Sequence, residues 1–555
     1  MKFHEMPYER PDLKACQAAM KDLMDRLDRA ASKEEKFEIH KEYYKLRDHI
    51  MTMSEISMIR NDADMTDPVY EEENKFFDES RPILQSMEVA YARKLREKAP
   101  ELIDIIGPVA FKNMEIAERA MDDKLIPLMQ EENALCTRYG RLLATAKIEW
   151  EGEELNLSLM TPYLRSSDRS VRKAAYEKYT AFFAENQEEL DEIYDLLVKN
   201  RTEQGRMRGY DNFVPLGYDR MQRNSYDKSA IADFRAQVKK DWVLFAEKIH
   251  QARAERIGVA GNMSYIDEGV YFPAGNPAPI GTPEEILAAG GRMYDELSPE
   301  TSEFFRFMQE NELFDVLGRK TKRTGGYMTF LPDYNAPFIF ANFNGTAGDV
   351  DVITHECGHA FQGYLSGKDP IREHADITMD IAEIHSMSME FFTEPWYKLF
   401  FGDRADDYTR MHLEDSACFI PYGTMVDEFQ HIVYENPDLT PKARRGVWRD
   451  LERQYKPHLD YTGNEYYENG GFWQKQHHIY DLPFYYIDYC LSQTCAFEYK
   501  VWMDENYKEA WESYLKLCRL SASDFYGGLL EAAGLEIPFN DGCLKHIADK
   551  LQSRL

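Results

Sequence analysis

The sequence predicts a mostly α-helical fold with one small β-sheet set next to a helix that carries chemistry. Three observations point there. Apolar residues recur at steps of three and four through most of the 555 residues. Hydrophobic residues make up 43% of the chain, enough for a large core. The alternating, β-prone runs are few and short. A balance of 67 basic against 98 acidic residues leaves a formal charge of −31, which repels a phosphate backbone and excludes nucleic acid as a partner.

Residues 13–135 read as long antiparallel helices: Leu13, Cys16, Met20, Leu23 and Leu27 form one stripe, and Ile39, Tyr43, Leu46 and Ile50 another. Residues 146–150 and 155–159 alternate around a glycine-bearing turn, Glu151-Gly152-Glu153-Glu154, and predict a β-hairpin. Helical periodicity resumes over residues 168–197. At Thr282-Pro283-Glu284-Glu285 a capping box starts a further helix. Residues 327–330 and 338–343 are β-prone and lead through Asn344-Gly345-Thr346-Ala347-Gly348-Asp349 into the next helix. The second of these runs could pair with an extended peptide or lie buried within the sheet.

Eight cysteines, Cys16, Cys136, Cys357, Cys418, Cys490, Cys495, Cys518 and Cys543, show no CxxC pair or regular spacing. They suit a reduced, cytoplasmic protein. The N-terminus reaches charge and proline before an apolar stretch can form, and no window approaches 18 apolar residues, so neither an export signal nor a membrane span is expected.

The chemistry centres on His355-Glu356-Cys357-Gly358-His359, an HExxH sequence. On a helix, residues four apart sit about 40° from one another, so both imidazoles can coordinate one Zn²⁺. Glu356, one step around, is kept off the metal but reaches a zinc-bound water, whose proton it can take as the water attacks a carbonyl. Cys357 points about 200° from His355 and is expected to pack. A catalytic zinc needs a third protein ligand. The HExxHxxGxxH pattern is excluded, because Gln362 and Leu365 stand where glycine and histidine would be required. The following apolar stretch carries Glu383, a carboxylate costly to bury unpaired, and this is the expected third ligand. His385, two positions on, lies on the other side of that helix.

The pairing of His355-Glu356-Cys357-Gly358-His359 with Glu383, Ser386 and Glu390 resembles the M3 family of zinc metallopeptidases, the thimet oligopeptidase and oligoendopeptidase F group. The resemblance implies that His355, His359 and Glu383 bind one zinc, that Glu356 is the general base, and that Glu390 orients a ligand histidine. It extends to residues 477–489, where a histidine precedes a tyrosine-rich helix. There it implies a cluster that grips substrate and stabilises the oxyanion: His478, Tyr486 and Tyr489, with Tyr480 and Tyr485 as alternates and His477 competing with His478.

By the same resemblance the fold is a large helical, ellipsoidal peptidase with a deep substrate channel and the small sheet beside the HExxH helix. Residues 1–200 would form a helical region covering the cleft, and residues 201–555 the catalytic region. The implied activity is a zinc-dependent oligoendopeptidase acting on internal bonds of short unfolded peptides. A dipeptidyl carboxypeptidase and a silent peptide-binding protein are the alternatives. The former needs a cationic or amide group for the substrate C-terminus, and the latter has no use for Glu356.

Overall fold

The computed structural model describes residues 1–554, and helices account for most of them. Leu13–Leu27, Lys33–Ala63 and Pro68–Lys98 pack first. Each starts at a cap the sequence supplies. Asp12 accepts from the Lys14 and Ala15 amides, and Ser32 Oγ accepts from the Glu35 amide at 3.1 Å. Asp67 accepts from the Val69 amide at 2.8 Å, with Pro68 in the first turn. Their apolar stripes close on a cluster of their own that includes Met20, Leu27, Ile39, Tyr43, Tyr91 and Leu95; Tyr43 stacks on Tyr91 at 4.0 Å between ring centres. Helix Lys33–Ala63, ~46 Å long at 1.5 Å per residue, runs beyond this bundle. Its C-terminal half inserts Met53, Ile56 and Ile59 into the much larger core formed by the rest of the chain.

The hairpin is tighter than its alternation predicts. Strands β1 (Ile148–Trp150) and β2 (Glu153–Leu155) pair antiparallel, Trp150 opposite Glu153. Glu151 and Gly152, both at positive φ (52° and 90°), make a two-residue turn. The second strand therefore ends at Leu155 instead of continuing through residues 156–159, where Asn156 Oδ1 accepts from the Leu159 amide and turns the chain. The capping box is formed: Glu285 N–H donates to Thr282 Oγ1, and Thr282 N–H donates to Glu285 Oε2 at 2.7 Å.

The second sheet has the order β3 (Phe314–Leu317), β5 (Ala336–Phe343), β4 (Tyr327–Leu331). β3 runs parallel to β5, and β4 antiparallel to it with Met328 opposite Ile339. The run at residues 338–343 is thus the buried central strand, and of the two edge strands, β3 and β4, β4 is the one that lines the cavity described below. This settles the choice left open by sequence, because six consecutive positions of β5, Ala336 to Ala341, are buried on both faces.

β5 leads into the HExxH helix, Gly348–Ser366. Asp349 ties the entry loop by accepting from the Asn344 and Gly345 amides at 2.9 and 2.8 Å. Helix Met379–Phe392 packs across it, and the 35-residue helix Tyr486–Leu520 covers Met379–Phe392 in turn. No helix among the described residues is long and apolar enough to cross a membrane, and the eight cysteines are free thiols.

Candidate metal centre

A cavity of about 660 Å³ opens beside the HExxH helix, lined by β4, by the cavity face of Lys33–Ala63, by the start of Met379–Phe392 and by the segment around residues 477–489. At its floor His355, His359 and Glu383 converge, their donor atoms within 4.8 Å of one another. Glu383 Oε2 is 3.3 Å from His355 Nε2 and 3.4 Å from His359 Nε2. Two imidazoles and one carboxylate around a shared point, open on the cavity side, are the donor set of a catalytic zinc.

The field there favours a cation. Burial alone would raise the pKa of Glu383, but His359 and His355 reverse this and hold it far below the usual carboxylate range. Burial alone would lower that of His355, but Glu383 and Glu390 push it well up. Both oxygens of Glu383 also accept hydrogen bonds: Ser386 Oγ donates to Oε2 at 2.9 Å, and Tyr485 donates to Oε1.

Glu390, two turns after Glu383, accepts from His355 Nδ1 at 2.6 Å and from His412 Nε2, on helix Ala405–Glu435, also at 2.6 Å. Against the cost of burial, these two bonds pull its carboxyl down to about 2. The ionised Glu390 fixes His355 in the tautomer that leaves Nε2 free for a metal. His412 has no motif to announce it in the sequence. It reads as a lone histidine on a helix until tertiary packing brings Glu390 to it.

Glu356 lines the same cavity and is 8% exposed. Burial raises its pKa, the direction that suits a proton acceptor working near neutrality. Cys357 packs fully buried, and His385 turns away to Cys518 Sγ at 3.4 Å.

The aromatic segment divides. His478, Tyr485 and Tyr489 line the cavity, and so does His477, which is bonded to Thr324 Oγ1 at 3.1 Å. Tyr422 O–H donates to Gln476 Oε1 at 2.8 Å, which aims the Gln476 amide N–H at His478 Nδ1, also 2.8 Å away. His478, depressed to about 4 by burial, is therefore neutral, with its proton on the Nε2 that lies 3.4 Å from the Tyr489 hydroxyl. Gln476 carries no sequence signal.

Tyr486 is not among the cavity-lining residues. Its ring packs 4.9 Å from His478 and 5.8 Å from Tyr422. Tyr480 is farther still, stacked on Tyr139 with its hydroxyl donating to the Leu190 carbonyl. The structure brings Tyr485 to the cavity together with Tyr489 and leaves Tyr486 off its lining. Just before them Phe484 sits at φ 69°, its amide bonded to Gln430 Oε1 at 3.0 Å, and the helix Tyr486–Leu520 starts after this break. Tyr485 and Tyr489, four apart, face the cavity, and Tyr486 is about 100° away.

A second His/carboxylate cluster, His250, Glu268 and His458, lies elsewhere. It already holds its own cations. Lys456 is paired with Glu268, and Arg253 donates to His250 Nδ1 at 2.8 Å, so a divalent ion would meet positive charge there.

Comparison with known proteins places this geometry. A model of peptidase family M3 matches residues 300–549, and one of the peptidase M3 N-terminal domain matches residues 3–121. The structure is similar to that of Pz peptidase A, solved with an inhibitor: 46% identity, 100% of this chain and 99% of that one, TM-score 0.98. The group B oligopeptidase PepB of Streptococcus agalactiae is 23% identical over 70% of this chain and 64% of its own length. The plasmid oligoendopeptidase F of Lactococcus lactis subsp. cremoris is 23% identical over 68% and 62%. The chain thus spans just under two thirds of the length of these two curated relatives. With both family models matched in order along the chain, and a full-length likeness at 46% identity to a solved peptidase, the chain belongs to peptidase family M3 and is of its oligoendopeptidase F type.

Proposed function

We propose that this protein is a zinc-dependent oligoendopeptidase that hydrolyses internal bonds of short unfolded peptides. The observation that carries the reading is the convergence of His355, His359 and Glu383 beside a buried Glu356, in a cavity walled by an unpaired strand edge. When bound, the ion supplies Lewis acidity toward the scissile carbonyl and the attacking water. Glu356 accepts the proton of that water and later delivers it to the leaving amine. His478 Nε2–H and the Tyr489 hydroxyl donate to the oxyanion as its charge develops. Tyr485 is a positioning residue, steadying Glu383. Tyr486 supports the His478 ring by contact.

An extended peptide adds to the outer edge of β4, where strand pairing leaves backbone groups free, and this holds the scissile bond over the motif helix. The size of the cavity suits short segments and not folded domains. Internal cleavage is favoured over carboxypeptidase action because each cavity arginine already faces a carboxylate. Arg47 pairs with Asp376 at 2.8 Å, Arg372 with Asp48 at 2.9 Å, and Arg323 with Asp481 at 3.3 Å, which leaves no unmatched cation for a substrate C-terminus. Eight free thiols suit a reducing compartment, and we assign the enzyme to the cytoplasm on that ground.

The test is hydrolysis of an internally quenched peptide mixture by zinc-loaded protein beside Glu356→Gln, with products identified by mass. Internal cleavage that disappears in a variant still holding one zinc is the expected result. Equal cleavage by both proteins would remove Glu356 from the mechanism.

A further inference from the structure

His478 sits on a helix of only five residues, His477–Asp481. So short a helix has no stability of its own and takes its orientation from its neighbours. Its inner side is packed: Ile479 and Tyr480 are fully buried, and Arg201 Nη2 donates to the Tyr480 carbonyl at 2.5 Å. Its two ends are held by adjacent residues of one loop. Thr324 Oγ1 is hydrogen-bonded to His477 Nε2 at 3.1 Å, and Arg323 Nη2 donates to Asp481 Oδ2 at 3.3 Å. Positions 477 and 481 are four apart and share a face, and position 478 stands about 100° from 477. A grip on that face fixes the rotation of the helix, and with it the direction in which His478 points.

The loop, residues 318–326 between β3 and β4, is anchored independently of the helix it grips. Lys322 is fully buried. Its ammonium donates to the Asp315 carbonyl and to Asp315 Oδ1, both at 2.9 Å, to the Leu317 carbonyl at 3.0 Å and to the Ala341 carbonyl. A charge buried at that cost is stable only while these acceptors surround it, so it binds the loop to β3 and β5. Asn342 Nδ2 donates to the Arg323 and Gly325 carbonyls at 2.9 and 2.8 Å, and the Arg323 amide donates to the Asp62 carbonyl at 2.8 Å. At its end the loop lies against the motif helix: a Cβ added at Gly326 would be 3.8 Å from Glu356 Oε1. One anchored loop thus abuts Glu356 and holds the helix of His478.

Resting on the oxyanion role given to His478 above, we propose that Thr324 and Arg323 are positioning residues for the reaction, clamping helix His477–Asp481 at both ends so that His478 meets the oxyanion, with Lys322 as the anchor of the clamp. Neither residue touches substrate in this role. Each acts through His478 alone.

The experiment uses full-length zinc-loaded protein and one quenched peptide. Thr324→Val keeps the shape of the side chain and removes its hydrogen bond. Its kcat is expected to fall about 10–100-fold, with KM and zinc content unchanged, and Thr324→Ser should recover most of the loss. Arg323→Met should act in the same direction, and Arg323→Lys less. In a His478→Ala background the same Thr324→Val change should cost less than about twofold, because a clamp acts only through the group it holds. Hydrogen exchange followed by mass spectrometry reads the clamp without turnover: residues 477–482 should exchange faster in Thr324→Val than in wild type, and residues 355–366 no faster. Equal losses of kcat with and without His478, or unchanged exchange over residues 477–482, overturn the clamp and leave the peptidase standing. His478→Ala that keeps the wild-type kcat overturns the oxyanion role, and the proposal with it. Faster exchange over residues 477–482 without any wild-type cleavage overturns the peptidase while confirming that the loop holds the helix. If Arg323→Met fails to fold, because it leaves Asp62 and Asp481 facing no cation, the Thr324 variants decide alone.

Discussion

Glu390 illustrates how much of the centre rests on a residue that touches no metal. Its carboxylate bridges His355 Nδ1 and His412 Nε2, each at 2.6 Å, and Glu390→Gln keeps its shape while removing its charge. The amide can accept from only one imidazole and offers its N–H to the other, so the tautomer of His355 is no longer imposed. Zinc affinity is expected to fall about 10–100-fold, measured by competition with a fluorescent chelator. An unchanged affinity would reduce Glu390 to a packing group. His478 depends in the same way on the Tyr422–Gln476 relay, which sets its tautomer from outside the cavity.

Between elements, the decisive contact is the crossing of the HExxH helix over Met379–Phe392. A Cβ added at Gly358 would lie 2.6 Å from Ser386 Cα and 2.7 Å from the His385 carbonyl oxygen, so the two helices approach this closely only because position 358 lacks a side chain. The approach brings Glu383 to the two histidines. Gly358→Ala must push the helices apart, at a cost of about 1–3 kcal/mol in stability, and must draw Glu383 away from His355 and His359. Thermal unfolding with and without chelator should show both effects: a lower Tm for the metal-free variant and a smaller zinc-dependent rise than wild type. A lower Tm with the full zinc increment would confine the glycine to packing.

For the whole molecule, stability should carry the mark of a buried acid remote from the cavity. Glu498, on helix Tyr486–Leu520, accepts from the Glu536 amide at 2.9 Å through one oxygen, while its other oxygen is buried without a partner. Burial pushes its pKa up from 4.5 to about 8. A carboxyl that binds its proton more tightly when folded contributes stability that is full below pH 4.5 and lost as the pH rises through about 8. The loss is on the order of a few kcal/mol. Wild type should therefore lose Tm between pH 5 and 9 more steeply than Glu498→Gln, whose amide has no charge to bury. Parallel Tm profiles for the two proteins would show that Glu498 titrates normally.

The sequence by itself determined the helical class, the capped helix start at Thr282, and which three side chains, His355, His359 and Glu383, come together with Glu356 beside them. These are legible because helical periodicity converts spacing directly into direction, and because a carboxylate in an apolar helix demands a partner. It also reached Glu390, by resemblance. What it left to the tertiary structure depends on contacts between segments far apart in the chain: His412 and Gln476, which are set by Glu390 and Tyr422 on other helices, and β4 as the edge strand at the cavity, which follows from strand order and packing and not from strand composition. That Tyr485 lines the cavity and Tyr486 does not also belongs to the tertiary structure, where Phe484, just ahead of them, is in left-handed backbone and bonded to a glutamine 54 positions away. Helix phase after a break is set by the packing that imposes the break, and periodicity carries no record of it.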